Sequence, residues 1–261
     1  MLSVKNNLMA AQAASNAATV YHGMNTSLKR LSSGLRINSA GDDAAGLAVC
    51  ELIRADIATA RQGSSNVRDG ISLVQTVDGS ANSISFSLIK MKQLATQASN
   101  GTYSAQQKSI MQQQFNEFAD EINRISGSTT FNGINLYAQG RTIDIALGNG
   151  DTISIETQSI SIDSVDLITD PQAALEAVDK AIKQLSSYRG SLGAKAQRLK
   201  SAETVIDSKA ENLLAAQARI SNADVAAEVA SLSSGQVLVK SAIAAQAHSN
   251  TILKLAQILL K

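Results

Sequence analysis

The sequence predicts a mainly α protein. Long antiparallel helices form a coiled-coil bundle from the N- and C-terminal halves, with a small β-hairpin region between them. Three observations carry this. Val178, Leu185, Leu192, Leu199, Ile206, Leu213 and Ile220 fall seven apart without a break. A strict seven-residue repeat implies a long helix in a left-handed coiled coil. The N-terminal half carries apolar stripes at spacings of three and four, enough to supply the partner. Between the halves, Ile143, Ile145 and Leu147 alternate with polar residues, as do Ile153 and Ile155, on either side of Gly148-Asn149-Gly150-Asp151. That is a hairpin signal.

The elements follow in order. Val20, Met24, Leu28, Leu31 and Leu35 make the first helical stripe, interrupted at Ile37-Asn38-Ser39-Ala40-Gly41. Asp42 and Asp43 stand where a new helix begins, with carboxylates near its positive end. Val49, Ile53 and Ile57 open a long pattern through Val67, Ile71, Val74, Ala81, Ile84, Leu88 and Met91. Asn100-Gly101 breaks it. Met111, Phe115, Phe118, Ile122 and Ile125 predict a further helix, with Gly127 as its stop. Asp170-Pro171 reads as an N-cap followed by the first helical position. Residues 175–220 as one helix would span roughly 70 Å, so the N-terminal half must pack along it. The chain goes out, turns through the hairpin region and returns.

Composition excludes more than it assigns. The 261 residues include 23 bases and 22 acids, no Trp, one Pro, one Cys and two His. A near-neutral sum gives no general pull toward nucleic acid or acidic lipid, and 3% aromatics offers little stacking surface for bases. Cys50 cannot form an internal disulfide, and beside an apolar stripe it reads as a small buried hydrophobe. His22 and His248 are 226 positions apart, so no histidine-centred catalytic or metal motif is present. Asp42-Asp43 serves a helix start better than acid–base catalysis. Gly148-Asn149-Gly150 opens no helix, as a phosphate loop should. The reading is no enzyme, no cofactor, no metal and no membrane insertion, since no window approaches 18 apolar residues. Lys5, Asn6 and Asn7 interrupt the N-terminus, so no secretory signal peptide is read there.

The charge is uneven. Residues 1–41 hold Lys5, Lys29, Arg30 and Arg36 and no acid; residues 229–261 hold Lys240, Lys254 and Lys261 and no acid. The ends carry +4 and +3, leaving −6 for residues 42–228. Both ends are rich in Ala, Leu, Ile and Val. They are either ordinary core helices or segments that bury against each other and against neighbouring copies. Both readings require a partner surface.

The stretch Arg30-Leu31-Ser32-Ser33-Gly34-Leu35-Arg36-Ile37-Asn38-Ser39-Ala40-Gly41-Asp42-Asp43-Ala44-Ala45-Gly46 resembles the signature of bacterial flagellins. Asp69-Gly70-Ile71-Ser72 with Gln75-Thr76, Ile125-Ser126-Gly127 with Phe131-Asn132-Gly133, Arg189 with Leu192-Gly193-Ala194 and Arg198, and Ala218-Arg219-Ile220 with Ala223-Asp224-Val225-Ala226 and Glu228 keep the family's order. The resemblance implies a minimal flagellin: 1–42 plus 222–261 as an inner-tube domain of terminal helices, and 43–221 as an outer coiled-coil domain with a β-hairpin at about 140–157. Only residues 128–168 lie between the halves, too few for variable outer domains.

The resemblance further implies a structural subunit of the flagellar filament, self-assembling for motility after export through the flagellar type III apparatus, and located in the secreted filament. A hook–filament junction protein is the alternative. The implied partners are other copies, the filament cap protein, the hook-junction protein, the export apparatus, and an export chaperone at about 222–261. Arg30, Leu31, Ser32, Ser33, Gly34, Arg36, Asn38, Asp42 and Asp43 would connect the two domains. The family's stretch recognised by the Toll-like flagellin receptor matches Lys90-Met91-Lys92-Gln93-Leu94, with Gln114 beside it. Basic charge and Leu94 survive there, but arginine's bidentate geometry and the acids do not, so weakened recognition is expected.

Overall fold

A computed structural model of the chain describes residues 7–148, 150–162 and 165–259, without the side chains of 253 and 256–259. Residues 1–6, Asn149 and residues 260–261, used in the sequence reading, lie outside it. The described elements run α1 (Leu8–Ser33), α2 (Ala44–Ala98), α3 (Ala105–Ser128), β1 (Thr130–Phe131), β2 (Ile134–Asn135), β3 (Thr142–Ala146), β4 (Thr152–Glu156), α4 (Pro171–Ser221) and α5 (Val225–Leu259). They fall into two compact units. One comprises Met1–Asp56 with Asn212–Lys261, the other Ile57–Glu211.

The second unit is an antiparallel helical bundle. Arg68 pairs with Glu203, Asp78 with Arg189 and Lys92 with Asp179, at 2.7, 2.8 and 2.6 Å. Partners descend along α4 as they ascend along α2, which fixes the direction. Between these surface pairs lie Val67, Val74, Ile84, Leu88 and Met91 of α2 and Val178, Leu185, Leu192 and Leu199 of α4, all buried in one core. Apolar burial of this kind drives folding; exposed ion pairs add little.

The third helix starts with a capping box, in which the Ser104 side chain accepts from Gln107 N and the Gln107 side chain from Ser104 N. It buries Met111, Phe115 and Ile122. Gly127 does not stop it. Helix α3 runs one residue further, and Thr129 ends it from an extended conformation by bonding Ile125 O through both its N–H and its hydroxyl. Asp170 caps α4 as the sequence predicts, accepting from Ala173 N at 2.9 Å.

Two small sheets cover the bundle. Strands β3 and β4 pair antiparallel with Ile143 opposite Ile155 and Ile145 opposite Ile153. Ile153 and Ile155 are buried, and the opposite face carries Thr142, Asp144, Thr152 and Glu156. A second pair, β1–β2, was not predicted. It turns through Asn132 and Gly133, at φ 48° and 76°, the left-handed pair of a tight hairpin. Tyr137 follows it into the core, packs edge-on against Tyr188 at 6.2 Å and hydrogen-bonds the Ser80 hydroxyl at 2.8 Å.

Helix α2 admits the β3–β4 hairpin through glycines. A Cβ at Gly63 would collide with the Leu147 carbonyl, lying 2.6 Å from its carbon. A Cβ at Gly148, whose φ is +80°, would likewise collide with the Thr59 carbonyl oxygen. Asn66 Nδ2 donates to Ala146 O at 3.1 Å, fixing the same end of the hairpin.

Candidate assembly surface

The other unit is built on α1 and α5, which run antiparallel. Asn7 caps α1 by accepting from Ala10 N, and its side chain also meets Ser249 and Asn250. At the opposite end Arg30 pairs with Glu228 at 2.9 Å. Between these ties, the residues of α1 turned inward are Ala10, Ala13, Ala17, Val20, Met24, Ser27 and Leu31; those of α5 are Glu228, Leu232, Gly235, Val239, Ala242, Gln246 and Ser249. Both series step by three and four, a coiled-coil period. Half of these positions carry small side chains, Ala, Gly or Ser, and Val20, Met24, Leu31, Leu232 and Val239 supply the larger apolar ones. A Cβ on Gly235 would lie 2.6 Å from Met24 Cγ, so glycine is what lets the helices close there.

Large apolar residues take the opposite positions. Leu8 and Met9 are 78% and 75% exposed, and Leu28, Val237, Leu238 and Ile243 are all exposed beyond half. Leu28 was expected in the inner stripe of α1; Ser27 occupies that step instead, because the three-residue step from Met24 matches the partner. The pair thus closes in part on small residues and leaves a second set of large hydrophobes in water. Such a surface marks an interaction site.

The connection between α1 and α2 is knitted to the α4–α5 corner. Gly34 ends α1 in the left-handed conformation, at φ 71°. Beyond it Leu35 and Asn222 form a β-bridge, Arg36 N donates to Ser221 O at 2.7 Å, and Ala223 N to Gly34 O at 3.0 Å. The Arg36 guanidinium bonds Ile220 O at 2.9 Å, while Arg30 Nε bonds Arg36 O at 3.0 Å. Asp42 accepts from the N–H groups of Asn38 and Ser39. Those bonds and the Ser39 hydroxyl hold its carboxyl below the usual range. Asp43 caps α2, accepting from Gly46 N at 2.8 Å, and lies 3.9 Å from Arg36. The Ser27 hydroxyl and then Arg30 likewise lower the Glu228 carboxyl. Leu31 is half-buried and Ile37 fully buried, while Ser32, Ser33 and Asn38 face solvent.

The remaining sequence-predicted residues separate clearly. Val178, Leu185, Leu192 and Leu199 are buried, Ile206 packs at the edge of the same core, and Leu213 and Ile220 are half-buried. Lys90, Leu94 and Gln114 line one groove of about 410 Å³ with Gln97, Glu117 and Phe118. Lys90 Nζ lies 5.6 Å over the Phe86 ring. Cys50 is free and buried. Among the described residues, no group of three or more His, Cys, Asp or Glu could hold a metal ion, and no helix is long and apolar enough to cross a membrane. Sequence reasoning missed the α5 seam and the Ser27–Arg30–Glu228 cluster. A step of three and four through Leu232, Gly235, Val239 and Ala242 was the available signal.

Comparison with known proteins matches residues 4–142 to the bacterial flagellin N-terminal helical region and residues 175–259 to the C-terminal helical region. A flagellin of Halalkalibacterium halodurans is 35% identical over 260 residues, covering 95% of each chain. A Salmonella muenchen flagellin is 41% identical over 162 residues, 61% of this chain but 30% of its own. The crystal structure of Bacillus cereus flagellin superposes with a TM-score of 0.51 at 30% identity, covering 59% of this chain and 94% of that one.

Proposed function

Because the chain belongs to the bacterial flagellin family, in a minimal form without outer domains, and is a structural subunit of the flagellar filament, we propose how it builds that filament. The α1–α5 pair forms the filament's inner tube by burying its outward apolar residues between neighbouring copies. The observation that carries this is the exposed apolar face of the pair, with Leu8, Met9, Leu28, Val237, Leu238 and Ile243 in water, behind a seam in which only half the positions are Ala, Gly or Ser. Each large aliphatic side chain contributes about 1.5–3 kcal/mol when fully buried, so copies supply what the isolated pair lacks. Such head-to-tail contacts do not close and therefore propagate. The filament and flagellin relatives leave the hook–filament junction alternative without support.

The same reading extends to partners. The chain passes unfolded through the flagellar export apparatus, meets a chaperone through its C-terminal segment, joins beyond the hook-junction protein and adds beneath the cap protein. The backbone ties around Arg30–Asp43 hold the α1–α2 connection to the α4–α5 corner within the unit that forms the tube. The groove at Lys90, Leu94 and Gln114 is the surface that the Toll-like flagellin receptor would meet, weakly, for lack of bidentate arginines. The test of assembly is Leu28→Ser with Val237→Ser and Leu238→Ser. This triple variant keeps its helical circular dichroism but does not extend filament seeds. Normal extension would remove the inner-tube role of this face.

A further inference from the structure

The outer face of α4 carries a feature that folding of the subunit does not use. Gly190 and Gly193 sit in mid-helix, exposed, and a Cβ built at either would have nothing within 4 Å. Glycine inside a helix destabilises it relative to alanine. Gly63, Gly70 and Gly235 are explained by close neighbours within the chain; Gly190 and Gly193 are not, and unlike Gly23 and Gly79, which are equally open, they fall within one helical turn of each other. Exposed Ser186, Ser187, Ser191 and Ala194 surround them, so this stretch of α4 has a low, flat surface.

Cations bound the flat stretch at both ends. From Lys180 to Ala202 α4 holds six bases and no acid. Lys180, Lys183, Arg198 and Lys200 are exposed and form no ion pair among the described residues. Lys183 and Lys200 lie about 25 Å apart along the helix. A groove of about 800 Å³ runs beside Arg198, lined also by Ala194, Gln197 and Ser201 of α4 and by Asp151 and Thr152 of the β3–β4 hairpin. The complementary charge is elsewhere on the same chain. Residues 99–170 contain nine acids and three bases. Among these acids Glu117 and Asp120 on α3 and Glu156 on β4 are exposed and form no ion pair among the described residues.

We propose that the α4 face from Lys183 to Lys200 is a docking strip for the acidic α3–β4 surface of a second copy of this chain. The inference deepens the filament reading and rests on it. The glycines allow close approach, and the flanking cations select an acidic partner and set its register.

The experiment uses the full chain and measures elongation of sheared filament seeds by light scattering, with sedimentation and circular dichroism as controls for folding. Gly190→Ala with Gly193→Ala raises the subunit's thermal midpoint yet slows elongation at least 10-fold; Gly190→Leu with Gly193→Leu stops it. Lys183→Glu with Arg198→Glu and Lys200→Glu slows elongation at least 10-fold, as does Glu117→Lys with Asp120→Lys and Glu156→Lys. An equal mixture of these two charge variants elongates at near the unmodified rate. Unimpaired elongation by the glycine or charge variants overturns the proposal. So does a mixture no faster than either variant alone, which would mean that the strip meets some other anionic partner. Failure of the unmodified chain to extend seeds would instead remove the filament reading itself.

Discussion

Alanine at Gly63 and alanine at Gly79 are the same substitution in the same helix, and the structure predicts opposite signs. At Gly79 a Cβ meets nothing within 4 Å, so only helix propensity changes, a gain of about 1 kcal/mol. At Gly63 the same gain is opposed by collision with the Leu147 backbone. A carbonyl held in a hairpin cannot rotate away as a side-chain terminus can. The hairpin must shift, at an overpacking cost of about 1–3 kcal/mol. Loss of the Asn66–Ala146 hydrogen bond adds about 1 kcal/mol. The net is a destabilisation of about 1–3 kcal/mol. For a domain of this size each kcal/mol moves the midpoint by about 2–4 °C. The thermal midpoint followed at 222 nm therefore drops by about 2–12 °C for Gly63→Ala and rises by about 2–4 °C for Gly79→Ala. A neutral or stabilising Gly63→Ala would refute the glycine-mediated docking of the hairpin.

Three further outcomes follow from the packing and the charges. Leu192→Ala empties a fully buried seam position and costs about 2–5 kcal/mol, whereas Leu213→Ala, half-buried, costs distinctly less; urea titrations of both variants check the difference. Glu228 has a lowered carboxyl pKa in the folded chain, so its contribution is present above the ordinary value of 4.5 and is lost as pH falls through the lowered one. Helicity measured between pH 6 and 2 should accordingly fall less steeply in Glu228→Gln than in the unmodified chain. Tyr188 is pushed up to about 12 by burial, with Tyr137 adding to it, so alkaline difference spectra against Tyr188→Phe show its ionisation only near that pH.

Large aliphatic residues at a fixed period announce a buried face, and for that reason α4 was legible. Val178, Leu185, Leu192 and Leu199 line the core, with Ala174, Ala181 and Tyr188 buried beside them. The same logic misplaced Leu28, because α1 and α5 carry large apolar residues on both faces, Met24 and Leu31 inside but Leu28 and Leu238 outside. A subunit that completes its core with other copies needs apolar residues on a second face too. The connection at Arg30–Asp43 was legible as a motif, but what it holds was not. The Arg36 guanidinium donates to the carbonyl of Ile220, and the Ala223 N–H donates to the carbonyl of Gly34; backbone partners leave no trace in side-chain identity. The β1–β2 pair hid for another reason. Its Asn132-Gly133 turn is a recognisable signal, but strands of two residues are too short to alternate.

If this chain completes its terminal domain only by joining copies of itself, electron microscopy of the purified full-length chain added to sheared seeds shows long helical filaments growing from the seeds, with added α-helical circular dichroism as they grow. A chain that stays monomeric by sedimentation, with seeds unextended at any concentration, would contradict it.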